Sequence, residues 1–160
     1  MTGLPLRTCT LGVLALLFSA CASTTPPEVA TSEPTASGPI STCDAFPAET
    51  VERDGLAITV VRHHCIEASA PDADGLYAYY YDYDRYELSA GAVVLTARTY
   101  RDSDSGHLLS LVQQGTRRSL ESADLDTPLA AEALARLRAQ GKVNLQWFNG
   151  RAYVPIESKP

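Results

Sequence analysis

Five short stretches carry side chains that do chemistry in other settings. His63-His64-Cys65 offers two imidazoles and a thiol, the donor types a zinc ion takes. Adjacent residues of a strand point to opposite faces, so two neighbouring histidines on one are badly placed to chelate a single ion, and we expect ordinary strand histidines. Asp102-x-Asp104 and Asp72-x-Asp74-Gly75 have the acidic spacing of a calcium loop. Aligned from Asp102, the sixth position is His107 and not glycine; aligned on Gly75, the first position is Ala70 and the twelfth Tyr81. Both fail, and turn chemistry accounts for the aspartates. Ser105-Gly106-His107 has no G-x-S-x-G elbow around it. No glycine-rich phosphate loop occurs either. We therefore expect no catalytic residue, no metal site and no cofactor, and a chain that is not an enzyme.

The fifth stretch is Tyr77-Ala78-Tyr79-Tyr80-Tyr81-Asp82-Tyr83-Asp84-Arg85-Tyr86. Read with period two, Tyr77, Tyr79, Tyr81 and Tyr83 share one face, and Ala78, Tyr80, Asp82 and Asp84 the other. Tyrosine favours strands and has an apolar body with a polar tip. One reading is a half-buried strand whose rings pack while their hydroxyls reach water. The other is an aromatic platform for a partner protein or for sugar rings. Aromatic residues and arginine anchor interfaces, so Phe148, Arg151 and Tyr153 near the C-terminus form a second candidate patch.

These residues need a scaffold, and the patterning after residue 43 supplies one. Leu56, Ile58 and Val60 alternate with smaller or polar residues through Ile66, which predicts a strand after the turn signal Glu52-Arg53-Asp54-Gly55. The doublet Val60-Val61 blurs the period and admits a bulge. Val93, Leu95 and Ala97 alternate with Val94, Thr96, Arg98 and Tyr100 in another strand. A loop at Asp102–Gly106 leads to a returning strand, His107–Gln113. Residues 114–126 read as polar and irregular.

Thr127-Pro128 opens a helix over about 127–140, with Asp126 or Thr127 as cap and Pro128 in its first turn. Leu129, Ala133, Leu134 and Leu137 form its apolar stripe, and Glu132 and Arg136 sit four apart. Gly141 ends it, with Lys142 at the negative end of the dipole. Val143–Phe148 and Arg151–Ile156 flank Asn149-Gly150, the signal of a two-residue hairpin turn. That register pairs Trp147 with Ala152, Leu145 with Val154 and Val143 with Ile156 on one face, which the helix stripe covers. Asn144, Gln146, Phe148, Arg151 and Tyr153 take the other. The expected fold is α+β: a mostly antiparallel sheet of about six strands with one helix on one face.

The N-terminal residues read as an address. A basic start with Arg7 is followed by an apolar run from Thr8 to Ala20 and then small residues, the layout of a secretory signal. The run is shorter than the roughly 20 residues needed to span a bilayer. It ends in Leu17-Phe18-Ser19-Ala20-Cys21, which resembles the lipobox of bacterial lipoproteins: small residues at the two positions before the cysteine match, and Phe18 stands where leucine is usual. The resemblance covers residues 1–21 only. It implies cleavage of residues 1–20, a diacylglycerol on the Cys21 sulfur and a fatty acyl group such as palmitate on its new amine. Each buried CH₂ adds about 0.8 kcal/mol to membrane attachment, so two or more chains anchor firmly. Aspartate after the lipidated cysteine holds such proteins at the inner membrane. Ala22 follows here, so the resemblance implies the cell envelope and an outer-membrane anchor facing the periplasm.

From that address the remaining parts follow. Residues 21–42 are rich in Pro, Ser and Thr and lack aromatics, so they are expected to form a disordered tether, and residues 43–160 a single small domain. Cys9 leaves with the signal and Cys21 takes the lipid. Cys43 and Cys65 remain in an oxidising compartment, with no C-x-x-C spacing for redox work, and are expected to form a structural disulfide. The chain carries a net charge of −6. An acidic domain without a run of Lys or Arg lacks the footprint of a nucleic-acid binder. Membrane contact is then through the lipid anchor, and the partners to expect are envelope proteins or, as the alternative, a glycan or small ligand on the tyrosine strand.

Overall fold

The computed structural model describes residues 38–157. The expected signal, the expected lipidation at Cys21 and the stretch up to residue 37 lie outside the described residues, as do residues 158–160. Nine strands form one sheet: β1 (Ile40–Ala45), β2 (Glu49–Arg53), β3 (Leu56–Ala68), β4 (Tyr80–Ala90), β5 (Val93–Tyr100), β6 (Ser105–Gln113), β7 (Thr116–Arg118), β8 (Asn144–Phe148) and β9 (Tyr153–Pro155). A 3₁₀ turn (Ser122–Asp126) and the helix α1 (Pro128–Ala139) lie between β7 and β8. The expectation of one helix on a sheet holds. The sheet is mostly antiparallel as expected, but the expected six strands are corrected to nine, and one parallel pair makes the sheet mixed.

The extra strands are short and sit at the margins. The path across the sheet is β1-β3-β4-β5-β6-β8-β9, with β2 also pairing β3 and β7 also pairing β6. β1 runs along residues 63–68 of β3, and β2 along residues 56–60. They act as one edge strand broken at Phe46-Pro47-Ala48, where proline has no N–H to give a ladder. Asp54 and Gly55 both have positive φ, 52° and 75°, so the turn signal seen at this point is a two-residue hairpin turn joining β2 to β3. Gln114-Gly115 joins β6 to β7 in the same way, inside the stretch read as irregular. β8 pairs with β6 in parallel. The chain between them must cross over, and α1 is that crossover, seated on one face.

The covered face is the core. Ile58 and Val60 on β3, Tyr86 and Leu88 on β4, Leu95 and Ala97 on β5, and Leu108 and Leu111 on β6 meet Leu129, Ala130, Ala133, Leu134 and Leu137 of α1. Leu108 and Leu111 are three apart and would face opposite ways on a regular strand. The ladder pairs Thr96 with Ser110 but Ala97 with Leu108, so Leu109 is an extra residue and both leucines enter the core. The bulge thus lies between β5 and β6, whereas the β3–β4 register runs without interruption through Val60 and Val61. Gly106 lets the helix approach: a Cβ there would lie 3.1 Å from Leu137 Cδ1 and from Leu145 Cδ2.

The caps follow the sequence. Thr127 Oγ1 accepts a hydrogen bond from Ala130 N–H at 3.3 Å, so threonine is the cap. Gly141, with φ 75°, reverses the chain, and Lys142 N–H donates to the Leu137 carbonyl at 3.1 Å. The Lys142 ammonium is buried and ties this end to the β5–β6 loop, donating to the carbonyls of Tyr100 and Ser103. Glu132, buried at 7% exposure, accepts from Arg136 Nε at 2.7 Å, as its i, i+4 spacing predicts. It also accepts from Arg53 Nε of β2 at 2.9 Å, and Arg136 pairs in addition with Glu49. An ion-pair network therefore clamps the helix to the edge strand. Burial pushes the Glu132 carboxyl up, and the hydrogen bonds from Arg136 and Arg53 outweigh it, so the net shift is downward.

The C-terminal hairpin exists, but its two-residue turn is a correction. Trp147 pairs with Val154 and Phe148 with Tyr153, so the loop is the four residues 149–152. Asn149 Oδ1 accepts from the backbone N–H groups of Arg151 and Ala152 at 2.9 and 3.0 Å, a side-chain-closed turn that competes with the tight one. The shift is two residues, which preserves the facing. Leu145, Trp147 and Ile156 still reach the core, while Val143 and Ala152 fall outside the ladder and are exposed.

Candidate functional site

With α1 on one side, the other side of the sheet has no helix over it among the described residues. Parity assigns its residues. His63, Cys65 and Glu67 come from β3, Tyr81, Tyr83 and Arg85 from β4, Arg98 and Tyr100 from β5, and His107 from β6; Gln146 and Phe148 come from β8 and Tyr153 from β9. The disulfide joins Cys43 of β1 to Cys65 of β3, which are direct cross-strand partners with Cα atoms 4.1 Å apart.

The rings on this face form a chain across the sheet. Tyr79 stacks on Tyr81 with centroids 5.5 Å apart and planes inclined by 22°. Tyr81 meets Tyr100 at 5.7 Å, and Tyr83 meets Tyr100 edge-on at 5.8 Å. Tyr100 leads to His107 at 6.2 Å, His107 to Tyr153 at 4.6 Å, and Tyr153 to Phe148 at 5.4 Å. Two patches separate in sequence are therefore one surface, joined by Tyr100 and His107. The Arg98 guanidinium lies over Tyr83 at 5.3 Å and over Tyr100 at 4.8 Å, in cation–π range.

The sequence-derived candidates occupy different places on it. Tyr79, Tyr81 and Tyr153 are each more than 40% exposed. Tyr83 is only 4% exposed, and its hydroxyl donates to Glu67 at 2.6 Å. Burial and the Glu67 carboxylate push its pKa up to about 12, so it is a fixed, neutral phenol. Tyr77 stands apart. The chain joins β4 only at Tyr80, and the Tyr77 ring meets Tyr80 at 6.0 Å instead of continuing the row. Arg151 is exposed in the four-residue loop, beyond the end of the hairpin ladder.

Tyr100, His107, Arg85, Arg98 and Arg117 were not singled out by sequence reasoning as site residues. The signal for Tyr100 and Arg98 was their shared strand parity; for His107 and Arg117 there was none. The His107 imidazole is held below its ordinary value by burial and by the Arg98 charge, against a Gln146 hydrogen bond that acts the other way, so it is neutral at pH 7.

Between this row of rings and the outer end of β7 lies an open cleft of about 550 Å³. Thr96, Arg98 and Ser110 lie along it, with Arg85 on one side and Arg117 and Phe148 on the other. It presents hydroxyls, guanidiniums and ring edges, a set that binds by hydrogen bonds and charge.

Asp82 and Asp84 face the helix side instead. There His64 Nδ1 lies 3.6 Å from Asp82 Oδ1 and 3.4 Å from Asp84 Oδ1, and Arg101 Nε lies 3.1 Å from Asp82. His63, on the open face, lies 3.7 Å from Glu87. The two histidines thus point away from each other. Among the described residues no group of three acidic, histidine or cysteine side chains converges on a metal position. The acidic turn at Asp72 is closed by its own backbone: Oδ1 accepts from Asp74 N–H at 3.0 Å and Leu76 N–H at 2.8 Å. No helix among the described residues is long and apolar enough to cross a membrane.

No family model matches the chain, and neither a curated protein nor a solved structure shows significant similarity to it.

Proposed function

We propose that this chain is a lipid-anchored lipoprotein of the bacterial cell envelope whose folded domain is a non-catalytic protein-interaction module. The observation that carries the reading is the continuous aromatic row from Tyr79 to Phe148, on a sheet face that the helix does not cover. Exposed tyrosines offer large, stiff contact area at low entropic cost, and arginine stacked among them is the usual company of an interface hot spot. The outer membrane, with the domain facing the periplasm, is the location this reading favours, from Ala22 after Cys21.

Two experiments test it. Cys21→Ala should move the protein from the membrane to the soluble fraction; continued membrane partition of that variant refutes the anchor. A photo-crosslinking amino acid at Tyr81 or Tyr153 in the native envelope should capture a discrete protein adduct that the same label at exposed Arg138 on α1 does not give. Equal labelling at the three positions refutes the interaction face. One observation favours a second reading, glycan binding. Tyr79 and Tyr81 are exposed and nearly parallel, and an outward ring face of such a pair suits stacking on a sugar ring.

A further inference from the structure

The cleft beside the aromatic row runs against the charge of the chain as a whole. The chain is acidic, with a net charge of −6, yet Arg85, Arg98, Arg117 and Arg118 all border this cleft with Glu87 as its one carboxylate. Arg85 and Arg98 are direct cross-strand partners on β4 and β5. Like charges placed opposite each other on a sheet repel. Stacking of Arg98 on Tyr83 and Tyr100 offsets part of that repulsion but gives its N–H groups no acceptor, so the pair calls for a further explanation.

Two of the four are already answered. Arg118 makes a two-point contact with Asp124 at 2.7 and 2.8 Å, and Arg85 lies 3.3 Å from Glu87. Arg98 and Arg117 have no carboxylate within ion-pair distance among the described residues. The Nε atoms of both Arg85 and Arg98 are buried and have no hydrogen-bond partner within the protein. A buried guanidinium N–H is strongly driven to find an acceptor, and the planar fork of arginine matches a carboxylate.

We propose that this cleft is a carboxylate-recognition site, and that its occupant is an acidic segment of a partner protein. The identification rests on the protein-interaction reading above and adds the chemistry of the partner. The choice among anions follows from the surroundings. Of the two rings that line the cleft, Tyr83 is buried and capped by Arg98, and Phe148 is half-buried and packs against Tyr153, so neither offers the open platform that a sugar ring needs. A long polyanion would leave this local patch and meet the acidic remainder of the surface. A short acidic segment satisfies the arginines, while its flanks lie on Tyr81 and Tyr153.

The test uses the oxidised full chain with its disulfide intact and a fluorescein-labelled hexaglutamate peptide, followed by anisotropy at low ionic strength. Binding should weaken as salt rises, and a hexaglutamine peptide should not compete. Arg117→Gln, at an exposed position that cannot unfold the domain, should weaken binding by about threefold or more, and Arg98→Gln with Arg117→Gln by about tenfold or more. Arg138→Gln, on the exposed side of α1, should leave binding unchanged. Equal affinity for the glutamine peptide, or indifference to Arg117→Gln, overturns the proposal. Tighter binding of an oligogalacturonate than of hexaglutamate also overturns it and assigns the cleft to an acidic sugar. Partner crosslinks at Tyr81 that persist at full yield in the double arginine variant would defeat this site alone. Loss of the crosslinks in the unmodified protein, with glutamate binding intact, would defeat the broader reading alone.

Discussion

The two faces of this sheet are made from the same strands, residue by residue in alternation, and yet they obey different rules. On the helix side, β3 to β6 contribute Ile58, Val60, Leu88, Leu95 and Leu108, all essentially inaccessible to solvent. On the other side the same strands contribute His63, Arg85, Arg98, Tyr100 and His107. A sheet needs only one apolar face to hold a helix, and the second is free to carry whatever the strands can tolerate. Here it carries rings and guanidiniums that pack on one another in place of a second layer. Cation–π and edge-to-face contacts are individually worth about 0.5–1.5 kcal/mol, far less than the burial of a leucine stripe. The covered face thus supplies stability, and the open face can be specialised for recognition at small structural cost.

The largest expected effect tests the covered face. Leu137 is inaccessible and sits on Gly106, where the missing side chain lets the helix come close to the sheet. Leu137→Ala should lose about 2–5 kcal/mol in urea unfolding, since a cavity there has no mobile neighbour to fill it. Partner crosslinking at Tyr81 in the folded fraction should be unchanged. A loss below about 1 kcal/mol would mean that the helix is not the principal source of stability.

An intermediate effect belongs to the clamp between helix and edge strand. Glu132→Gln removes the charge that Arg53 and Arg136 share and should cost about 1–3 kcal/mol at neutral pH. The pH dependence has a definite sign. The folded-state pKa of Glu132 is depressed, so its contribution is complete above the ordinary carboxylate pKa and is lost as pH falls toward the depressed folded value. The acid limb of the stability profile should therefore be shallower in Glu132→Gln than in the parent. Parallel acid limbs would remove Glu132 from the account.

How far these faces could be read from sequence depended on what fixes each part. The alternation Leu56, Ile58, Val60 and Val93, Leu95, Ala97 reports burial directly, and the helix announces its ends with Thr127-Pro128 and Gly141. β1 and β2 were not visible because they are edge strands with almost no buried side chains, held by backbone pairing to β3. β7 is three residues long, and only its Gln114-Gly115 turn marks it. The bulge at Leu109 needs two strands to define it. The Cys43–Cys65 bridge was legible because reading residues 1–21 as a signal with a lipobox left these two cysteines to pair. The arginine cleft was not. Arg85, Arg98 and Arg117 are far apart in sequence, and the acidic average hides them until the ladder sets them side by side. Charge clustering that depends on register leaves no one-dimensional trace.

The smallest expected effect on stability is the most informative, because it compares two tyrosines two residues apart on the same face. Tyr83 is 4% exposed and tied to Glu67, whereas Tyr81 is 45% exposed and makes only ring contacts, to Tyr79 and Tyr100. Tyr81→Ser gives up those two contacts and little burial, so it should cost no more than about 1 kcal/mol in urea unfolding. Partner capture through a crosslinker at Tyr153, on the same row, should nevertheless fall severalfold. The two readouts diverge only if the ring is held out for a partner. If Tyr81→Ser instead destabilises the domain as much as Leu137→Ala does, the row of rings is a second core laid on the outside of the sheet. The division of labour between the faces would then be lost, because an aromatic layer that carries the fold's stability cannot also be freely remodelled for a ligand.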